Sequence, residues 1–229
     1  MAGWETLEVD AGPARLYVAG TAGQDAPGVA LYHAWWGLNE DVISFAERLA
    51  AAGFHVLAPD LFRGEVAASI EEAERLSSSI EQDAGGRDSL AAISLAAIDR
   101  LAGREQAGTR IGTVGFSFGA AWAVWTAGRR DQVSASVVYY GSITGPTLAA
   151  GRSAVLGHFA EQDPYETADN VAAFEEGLRE ADREVSIQRY PGTSHWFAEP
   201  SREAYRPEAA NLAFDRTVEF LRRELSTGA

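Results

Sequence analysis

Residues 115–119 read GFSFG, which matches the G-x-S-x-G pattern with Ser117 at its centre. Ile111 and Val114 indicate a short apolar strand before the pattern, and residues 120–123 can begin a helix after it. Glycine at both ends relieves the collisions of so tight a turn, which pushes the hydroxyl clear of the backbone. The first free N–H groups of the helix point at the same place, so Ser117 is predicted to be a nucleophile beside an anion site. The alternative is a helix-opening turn in which Ser117 is only the N-terminal cap.

A nucleophilic serine needs a base, normally a histidine, and the chain has four histidines. His33 and His158 lie within predicted strands and His55 begins one, where a hydrogen-bonded packing role is more common. His195 lies instead in a predicted loop, residues 190–195, between the last strand and the last helix. Because loops after strands commonly carry acid–base groups, we expect His195 to be the base.

The carboxylate that orients the base is expected between the serine and the histidine in chain order, just after a strand. Asp163 fits this position, because it follows the predicted strand 154–159 and Pro164 fixes the turn behind it. Glu161 is the competing residue, and the alternative for both acids is a solvated loop. We expect Asp163 to hold the base.

The oxyanion that forms when an ester carbonyl is attacked needs two N–H donors. The backbone amide of Phe118 is the first expected donor, at the start of the predicted helix. The amide of Trp35, which follows the predicted strand 29–33, is the expected second donor, and Gly37 would let the backbone turn there.

Aromatic residues cluster in sequence around these groups. Trp36 and Trp196 are the residues expected to wall an apolar acyl or aryl pocket, and Phe116, Phe118 and Phe197 are near them in sequence. Packing in the core explains any one of these aromatic residues equally well.

Apolar runs alternate with amphipathic stretches along most of the chain. Strands 7–9 and 14–18 indicate an N-terminal hairpin, and residues 64–86 form a weaker, acidic pattern that predicts a helix lying over the surface. The other predicted strands are 29–33, 56–58, 134–140, 154–159 and 185–190, and the other predicted helices are 39–53, 90–103, one carrying Val171 to Leu178, and one carrying Phe214 to Leu225. This order predicts a mostly parallel sheet of about eight strands with helices on both faces.

The carboxyl ends of parallel strands are where such sheets carry their sites. Trp35, Ser117, Asp163 and His195 each fall just after a predicted strand. The four residues are therefore expected to meet at one edge of the sheet.

Composition limits the remaining possibilities. The chain has 229 residues, 46% hydrophobic and 23% charged, which predicts a single globular domain over residues 1–229. Without cysteine it has no thiolate nucleophile, and a net charge of −14 argues against nucleic acid or an anionic membrane as partner. The N-terminus has no secretion signal pattern and no stretch has the length of a membrane span, so a cytoplasmic location is expected.

Four segments together resemble the successive landmarks of the dienelactone hydrolase family. They are HAWWGLNE at residues 33–40, APDLF at 58–62, GFSFGA at 115–120 and GTSHWF at 192–197. The resemblance extends from about residue 5 to residue 225. It implies an α/β-hydrolase fold without a large lid, and hydrolysis of an ester or lactone by a metal-free Ser117–His195–Asp163 triad with the Trp35 and Phe118 amides as the oxyanion hole.

The chain departs from that family's pattern at three positions. Members with the name-giving activity usually have a cysteine nucleophile where this chain has Ser117. A glutamate of the family aligns with Ala34, and the arginine that helps to hold a substrate carboxylate aligns with Glu199. A glutamate there would repel such a carboxylate, which favours an uncharged substrate.

The leading hypothesis is a serine carboxylesterase that acts on a small ester or lactone without a cofactor or a metal. Thioester or acyl-transfer chemistry is one alternative, since it would use the same three residues. A non-catalytic binding module on the same fold is another, because a fold does not determine a function. A metal hydrolase is disfavoured, because no two histidines occur at ligand spacing.

Overall fold

The structure, a computed structural model, describes residues 2–20, 26–82, 84–103 and 110–226. Its strands are β1 (Gly3–Leu7), β2 (Ala14–Ala19), β3 (Gly28–Tyr32), β4 (His55–Pro59), β5 (Ile111–Phe116), β6 (Val133–Tyr139), β7 (Ala154–Gln162) and β8 (Val185–Ser194). Its helices are α1 (Glu40–Ala51), α2 (Ile70–Gln82), α3 (Ala84–Ala102), α4 (Phe118–Ala127), α5 (Thr147–Ala150), α6 (Ala168–Glu180) and α7 (Pro207–Leu225).

All the strands belong to one sheet in the order β1-β2-β4-β3-β5-β6-β7-β8. β1 and β2 pair antiparallel with their neighbours. The other six strands, β3 to β8, pair parallel with one another. Every residue of β3, β4 and β5 is buried, as expected for parallel strands covered on both faces. The prediction of a mostly parallel eight-stranded sheet is therefore confirmed.

Helices cover both faces of this sheet. α1 and α7 contribute apolar side chains such as Phe45 and Phe214 to the core on one face. α3 packs Ile93 and Ile98 on the other face, beside the part of α4 that faces β3. α6 extends the second face over β7 with Phe174.

Local signals explain where several helices begin. Asn39 caps α1 by accepting a hydrogen bond from the N–H of Val42 at 3.2 Å. Before α2, the hydroxyl of Ser69 accepts from the N–H of Glu72 at 3.2 Å, while the Glu72 carboxylate accepts from the N–H of Ala68 at 2.8 Å. This reciprocal pair resembles a capping box, and it sets the start of α2 at residue 70.

The observed boundaries of several strands and helices differ from the sequence-based ones. The first strand ends at Leu7 instead of including residues 7–9. The segment 64–86 is helical only from residue 70, and α3 begins at Ala84 instead of near residue 90. β7 and β8 extend past their predicted ends to Gln162 and Ser194.

The longer β7 and β8 matter most for the site. Gln162 pairs with Ser194 beyond an irregularity in the ladder at residues 160–162. Asp163 and His195 therefore follow two paired strands directly, and the predicted loop 190–195 is mostly strand. Among the helices that the structure describes, none has the length and apolar character needed to cross a bilayer.

Candidate active site

Ser117 occupies a strained turn between β5 and α4. Its backbone has φ +48° and ψ −112°, and its N–H donates to the carbonyl of Tyr139 at 2.8 Å. A methyl group at position 115 would lie 2.2 Å from the carbonyl oxygen of Gly119, and one at position 119 would lie 2.4 Å from that of Tyr32. Only glycine fits at these two positions, which is why the GFSFG pattern can form the turn.

The side chain of Ser117 is hydrogen-bonded to the imidazole of His195. The distance from Ser117 Oγ to His195 Nε2 is 3.0 Å. The other ring nitrogen, Nδ1, lies 2.9 Å and 2.8 Å from the two carboxylate oxygens of Asp163. The side chains of His195 and Asp163 are 3% and 1% exposed. A carboxylate at Nδ1 holds the ring proton there, which leaves Nε2 free to accept a proton from the hydroxyl.

Backbone donors hold Asp163 in place. Its Oδ1 accepts the N–H groups of Tyr165 at 2.9 Å and Glu166 at 3.0 Å. Glu166 in turn accepts from the N–H and the hydroxyl of Ser142, at 3.1 Å and 2.5 Å, which connects this turn to the chain after β6. The negative charge of Asp163 thus has three donors, counting His195 Nδ1.

The competing acid, Glu161, lies elsewhere. It is exposed, and its Oε2 accepts the N–H of Gly192 at 2.9 Å. That contact joins the ends of β7 and β8, so it supports the strand extension that carries Asp163 and His195.

The two amides expected to bind an oxyanion follow neighbouring strands. Tyr32 of β3 pairs with Gly115 of β5, so Trp35 and Phe118 each come three residues after one member of this pair. Phe118 is the first residue of α4, and the first N–H groups of a helix have no partner within the helix. Trp35 begins a turn closed by a 3.2 Å hydrogen bond from the N–H of Gly37 to the carbonyl of Ala34.

An aromatic cluster adjoins His195. The ring of Trp196 lies 5.0 Å from that of His195 and 5.2 Å from that of Trp36, and it stacks on Trp35 at 6.0 Å. Tyr165 contacts both His195 at 4.9 Å and Trp35 at 5.7 Å. The aromatic residues that follow β3, β7 and β8 therefore meet at one edge of the sheet.

A cleft of about 520 Å³ opens beside this cluster. It is lined by residues 68–70, 164–165, 194–196 and 202–204, together with Trp36 and Arg206. The two tryptophans expected to wall a pocket, Trp36 and Trp196, are both on its surface. The cleft meets the hydrogen-bonded series through His195 and not through Ser117, and the start of α2 forms part of its rim.

Several residues of this cleft were missed by sequence reasoning. Tyr165 stands two positions after Asp163, so its place beside the candidate acid was a usable signal. Arg202 and Arg206 had no such signal. Arg202 reaches the cleft by lying over the Trp36 ring at 4.0 Å, a contact that no spacing rule predicts.

Glu199 is placed differently from the expectation that it faces a substrate. It is 2% exposed, and its Oε1 accepts a 2.9 Å hydrogen bond from the hydroxyl of Tyr140. Burial raises the pKa of Glu199 to about 8 from an ordinary value of 4.5. The side chain is therefore mostly uncharged at neutral pH, and it lies off the wall of the cleft.

The hydroxyl of Ser117 is hydrogen-bonded to His195, and the other histidines lie in strands or beside them. His158 lies in β7 between the hydroxyls of Tyr190 and Thr217, at 2.8 Å and 3.0 Å, and burial lowers its pKa to about 3. His33 is buried at the end of β3, and His55 begins β4. Within the described residues, no three or more side chains of the His, Cys, Asp or Glu type are grouped as metal ligands would be.

Comparison with known proteins identifies several similar chains. The model of the dienelactone hydrolase family matches residues 14–225. A protein from Azospirillum brasilense that is provisionally named a carboxymethylenebutenolidase is 31% identical, covering 94% of this chain and 96% of that protein. Protein usf of Aquifex pyrophilus is 30% identical, with 93% and 94% covered. A crystal structure from Klebsiella pneumoniae, provisionally called a dienelactone hydrolase, superposes with a TM-score of 0.84 at 22% identity, covering 96% and 97% of the two chains.

Proposed function

Because the chain belongs to the dienelactone hydrolase family and is a hydrolase of ester bonds, we propose that it cleaves carboxylic esters or lactones through an acyl-enzyme on Ser117. The observation that carries this proposal is the continuous hydrogen-bonded series from Ser117 Oγ through His195 to Asp163. A serine at this point of the turn would use the same base and acid as other serine hydrolases.

The first half of the reaction forms the acyl-enzyme. His195 Nε2 takes the hydroxyl proton as Ser117 Oγ attacks the carbonyl carbon, and Asp163 stabilises the imidazolium that results. The N–H groups of Trp35 and Phe118 donate to the oxyanion of the tetrahedral intermediate. The intermediate collapses when His195 returns the proton to the leaving alcohol, which breaks the ester bond.

The second half of the reaction repeats these steps with water. His195 takes a proton from a water molecule, and the hydroxide attacks the acyl carbon attached to Ser117 Oγ. Collapse of the second intermediate returns the proton to Ser117 and releases the carboxylic acid. For a lactone, the alcohol and the acid remain parts of one product molecule.

The cleft supports a small substrate with a flat apolar part. Trp36, Tyr165 and Trp196 give it aromatic walls beside His195, and aromatic faces bind planar groups by stacking. We propose that Trp36 and Trp196 contact the substrate in this cleft. Arg202, Glu203 and Arg206 place both signs of charge farther along the wall, which is compatible with an uncharged substrate.

The test is hydrolysis of short p-nitrophenyl esters by the purified protein. We expect Ser117→Ala and His195→Ala each to reduce kcat by about 10⁴-fold or more, since nucleophile and base act as a unit. Ser79→Ala, an exposed serine of α2, is the matched control and should keep the wild-type rate. Wild-type rates in both Ser117→Ala and His195→Ala would refute the mechanism.

Two further assays separate the alternatives. A fluorophosphonate that labels the wild type but not Ser117→Ala would contradict a purely binding role, because labelling requires an activated serine. Thioesters and added alcohols in the same assay would reveal thioester hydrolysis or acyl transfer, which change the acyl donor or the acceptor and not the three residues.

The setting proposed for this activity is the cytoplasm, with a small molecule as partner. The net charge of −14 supports a small molecule as the partner over nucleic acid or an anionic membrane, because both of these are negatively charged and would be repelled. Fractionation of cells that express the tagged chain would test the location.

A further inference from the structure

The peptide group between Ala34 and Trp35 is held at its carbonyl end. The oxygen of Ala34 accepts two hydrogen bonds, one from Nδ1 of His33 at 2.7 Å and one from the N–H of Gly37 at 3.2 Å. The peptide is trans, so its N–H points opposite to its carbonyl. Two donors at the oxygen of Ala34 therefore determine the direction of the Trp35 N–H.

The second nitrogen of His33 decides which tautomer makes this contact. Nε2 lies 3.0 Å from the backbone nitrogen of Leu61, and an amide N–H can only donate. Nε2 must therefore be unprotonated, which places the ring proton on Nδ1, where it donates to Ala34. His33 is fully buried, and burial lowers its pKa against the opposing effect of the Asp60 carboxylate. The ring is consequently neutral and remains in one tautomer.

We propose that His33 is a positioning residue for the oxyanion site, and that it orients and polarises the Ala34–Trp35 peptide so that the Trp35 N–H faces the acyl carbonyl at Ser117. This inference rests on the proposed function, which assigns the Trp35 amide to the oxyanion. It adds a residue that touches neither the substrate nor the three reacting side chains.

The surroundings of His33 fit this role. The carbonyls of Tyr32 and His33 come so close to Gly119 that a methyl group there would lie 2.4 Å and 2.6 Å from them. The end of β3 is thus packed directly against the start of α4, where the other proposed donor, Phe118, is located. His33 also connects this turn to the chain after β4 through Leu61, and its ring packs on Phe62 at 4.8 Å.

Three substitutions remove the two hydrogen bonds of His33 separately or together. Asn places an amide nitrogen near the position of Nδ1, so His33→Asn keeps the donor to Ala34 and loses the acceptor for Leu61. Gln places its oxygen near the position of Nε2, so His33→Gln keeps the acceptor and loses the donor. His33→Phe loses both and keeps a ring. His158→Gln is the control for the loss of a buried histidine outside the site.

Each variant is assayed with p-nitrophenyl esters, and kcat is expressed per serine that a fluorophosphonate labels to completion, so that unfolded protein does not count. We expect His33→Gln and His33→Phe to lower kcat by about 10- to 100-fold with KM unchanged, somewhat less than complete loss of an oxyanion donor. His33→Asn should remain within about threefold of the wild type, as expected for a retained donor. His158→Gln should keep its kcat per labelled serine.

A second readout separates positioning from general damage. A trifluoromethyl ketone forms a tetrahedral adduct with an oxyanion, whereas a carboxamide analogue of the substrate does not. Affinity for the ketone should fall in His33→Gln in proportion to kcat/KM, while affinity for the carboxamide stays constant. A His33→Gln variant with wild-type kcat and ketone affinity would overturn the role of His33, as would equal losses in His33→Asn and His33→Gln. A wild-type protein without ester turnover would instead refute the proposed function itself.

Discussion

Two buried carboxyl groups lie close to His195, and their surroundings are opposite in kind. The Asp163 carboxylate accepts hydrogen bonds from Nδ1 of His195 and from two backbone N–H groups. Glu199 Oε1 accepts a hydrogen bond from the hydroxyl of Tyr140, and among the described residues its Oε2 has no hydrogen-bond partner. The ring of Tyr140 lies 4.9 Å from that of His195. Asp163 therefore contacts His195 directly, whereas Glu199 is connected to it through Tyr140.

The difference shows that burial alone does not decide what a carboxyl group does. Several donors stabilise a charged carboxylate at Asp163, which suits a group that must stabilise an imidazolium. With a single neutral donor, burial favours the protonated form of Glu199 up to about pH 8. The surroundings of Asp163, which contacts His195, therefore stabilise a charged carboxylate. Those of Glu199, four positions after His195 in the chain, stabilise an uncharged carboxyl group.

Among the substitutions that test this comparison of the two carboxyl groups, the largest effect is expected from removing the charge of Asp163. Asp163→Asn should lower kcat for a p-nitrophenyl ester by about 10³- to 10⁴-fold, because an amide can donate to Nδ1 and so favour the wrong tautomer of His195. Glu161→Gln is the matched control, two positions earlier and exposed, and should retain the wild-type kcat. Comparable losses in the two variants would mean that the acid has been assigned to the wrong residue.

A smaller effect, on stability and not on rate, is expected from Glu199→Gln. The unfolded chain releases this proton near pH 4.5, whereas the folded chain keeps it to about pH 8, so the wild type loses stability as the pH rises between these values. Gln does not titrate. The free energy of unfolding of the variant, relative to that of the wild type, should therefore rise by at least about 1 kcal/mol between these pH values and stay constant above them.

Urea unfolding of both proteins at intervals from pH 4.5 to 9 measures this difference. The variant and the wild type should be nearly equal at the acid end of the series. A difference in the free energy of unfolding that does not change with pH would show that Glu199 is ionised in the folded state, and the contrast with Asp163 would disappear.

The smallest effect is expected from Tyr140→Phe. The ring remains against His195, while the hydroxyl that donates to Glu199 is lost. We expect a loss of about 1 kcal/mol in the free energy of unfolding, the typical contribution of one buried hydrogen bond, with kcat within about threefold of the wild type. Since this hydroxyl lowers the pKa of Glu199, the pH window of Tyr140→Phe should extend to higher pH. A large fall in kcat without a change in stability would show instead that the hydroxyl takes part in the reaction.

Much of the site could be predicted because its signals are local. The GFSFG pattern encodes its own turn, since both glycines are required by backbone contacts within 2.4 Å. The positions of Asp163 and His195 were predicted from chain order and from the strands that precede them. The structure places His195 beside the Ser117 hydroxyl and Asp163 beside the other nitrogen of His195. That these residues perform the chemistry stays a prediction until the variants are assayed, as does the single domain over residues 1–229.

The parts that were missed depend on contacts between distant segments. Pro191 and Gly192 indicate a turn, yet an irregularity in the β7–β8 ladder accommodates them and the strand continues to Ser194. The burial of Glu199 depends on Tyr140, 59 positions earlier, which periodicity cannot reveal. The start of α2 at residue 70 was also missed, although Ser69 and Glu72 have the capping-box spacing and could have indicated it.

Mass spectrometry of the protein, quenched during turnover of an activated ester, tests most directly whether Ser117 is the nucleophile. We expect one added acyl group on the peptide that carries Ser117. It accumulates because water attacks the acyl-enzyme more slowly than the serine attacks an activated ester. The adduct should be absent in Ser117→Ala. Steady turnover with no adduct at Ser117, or an adduct that persists on another residue in Ser117→Ala, would contradict an acyl-enzyme on Ser117.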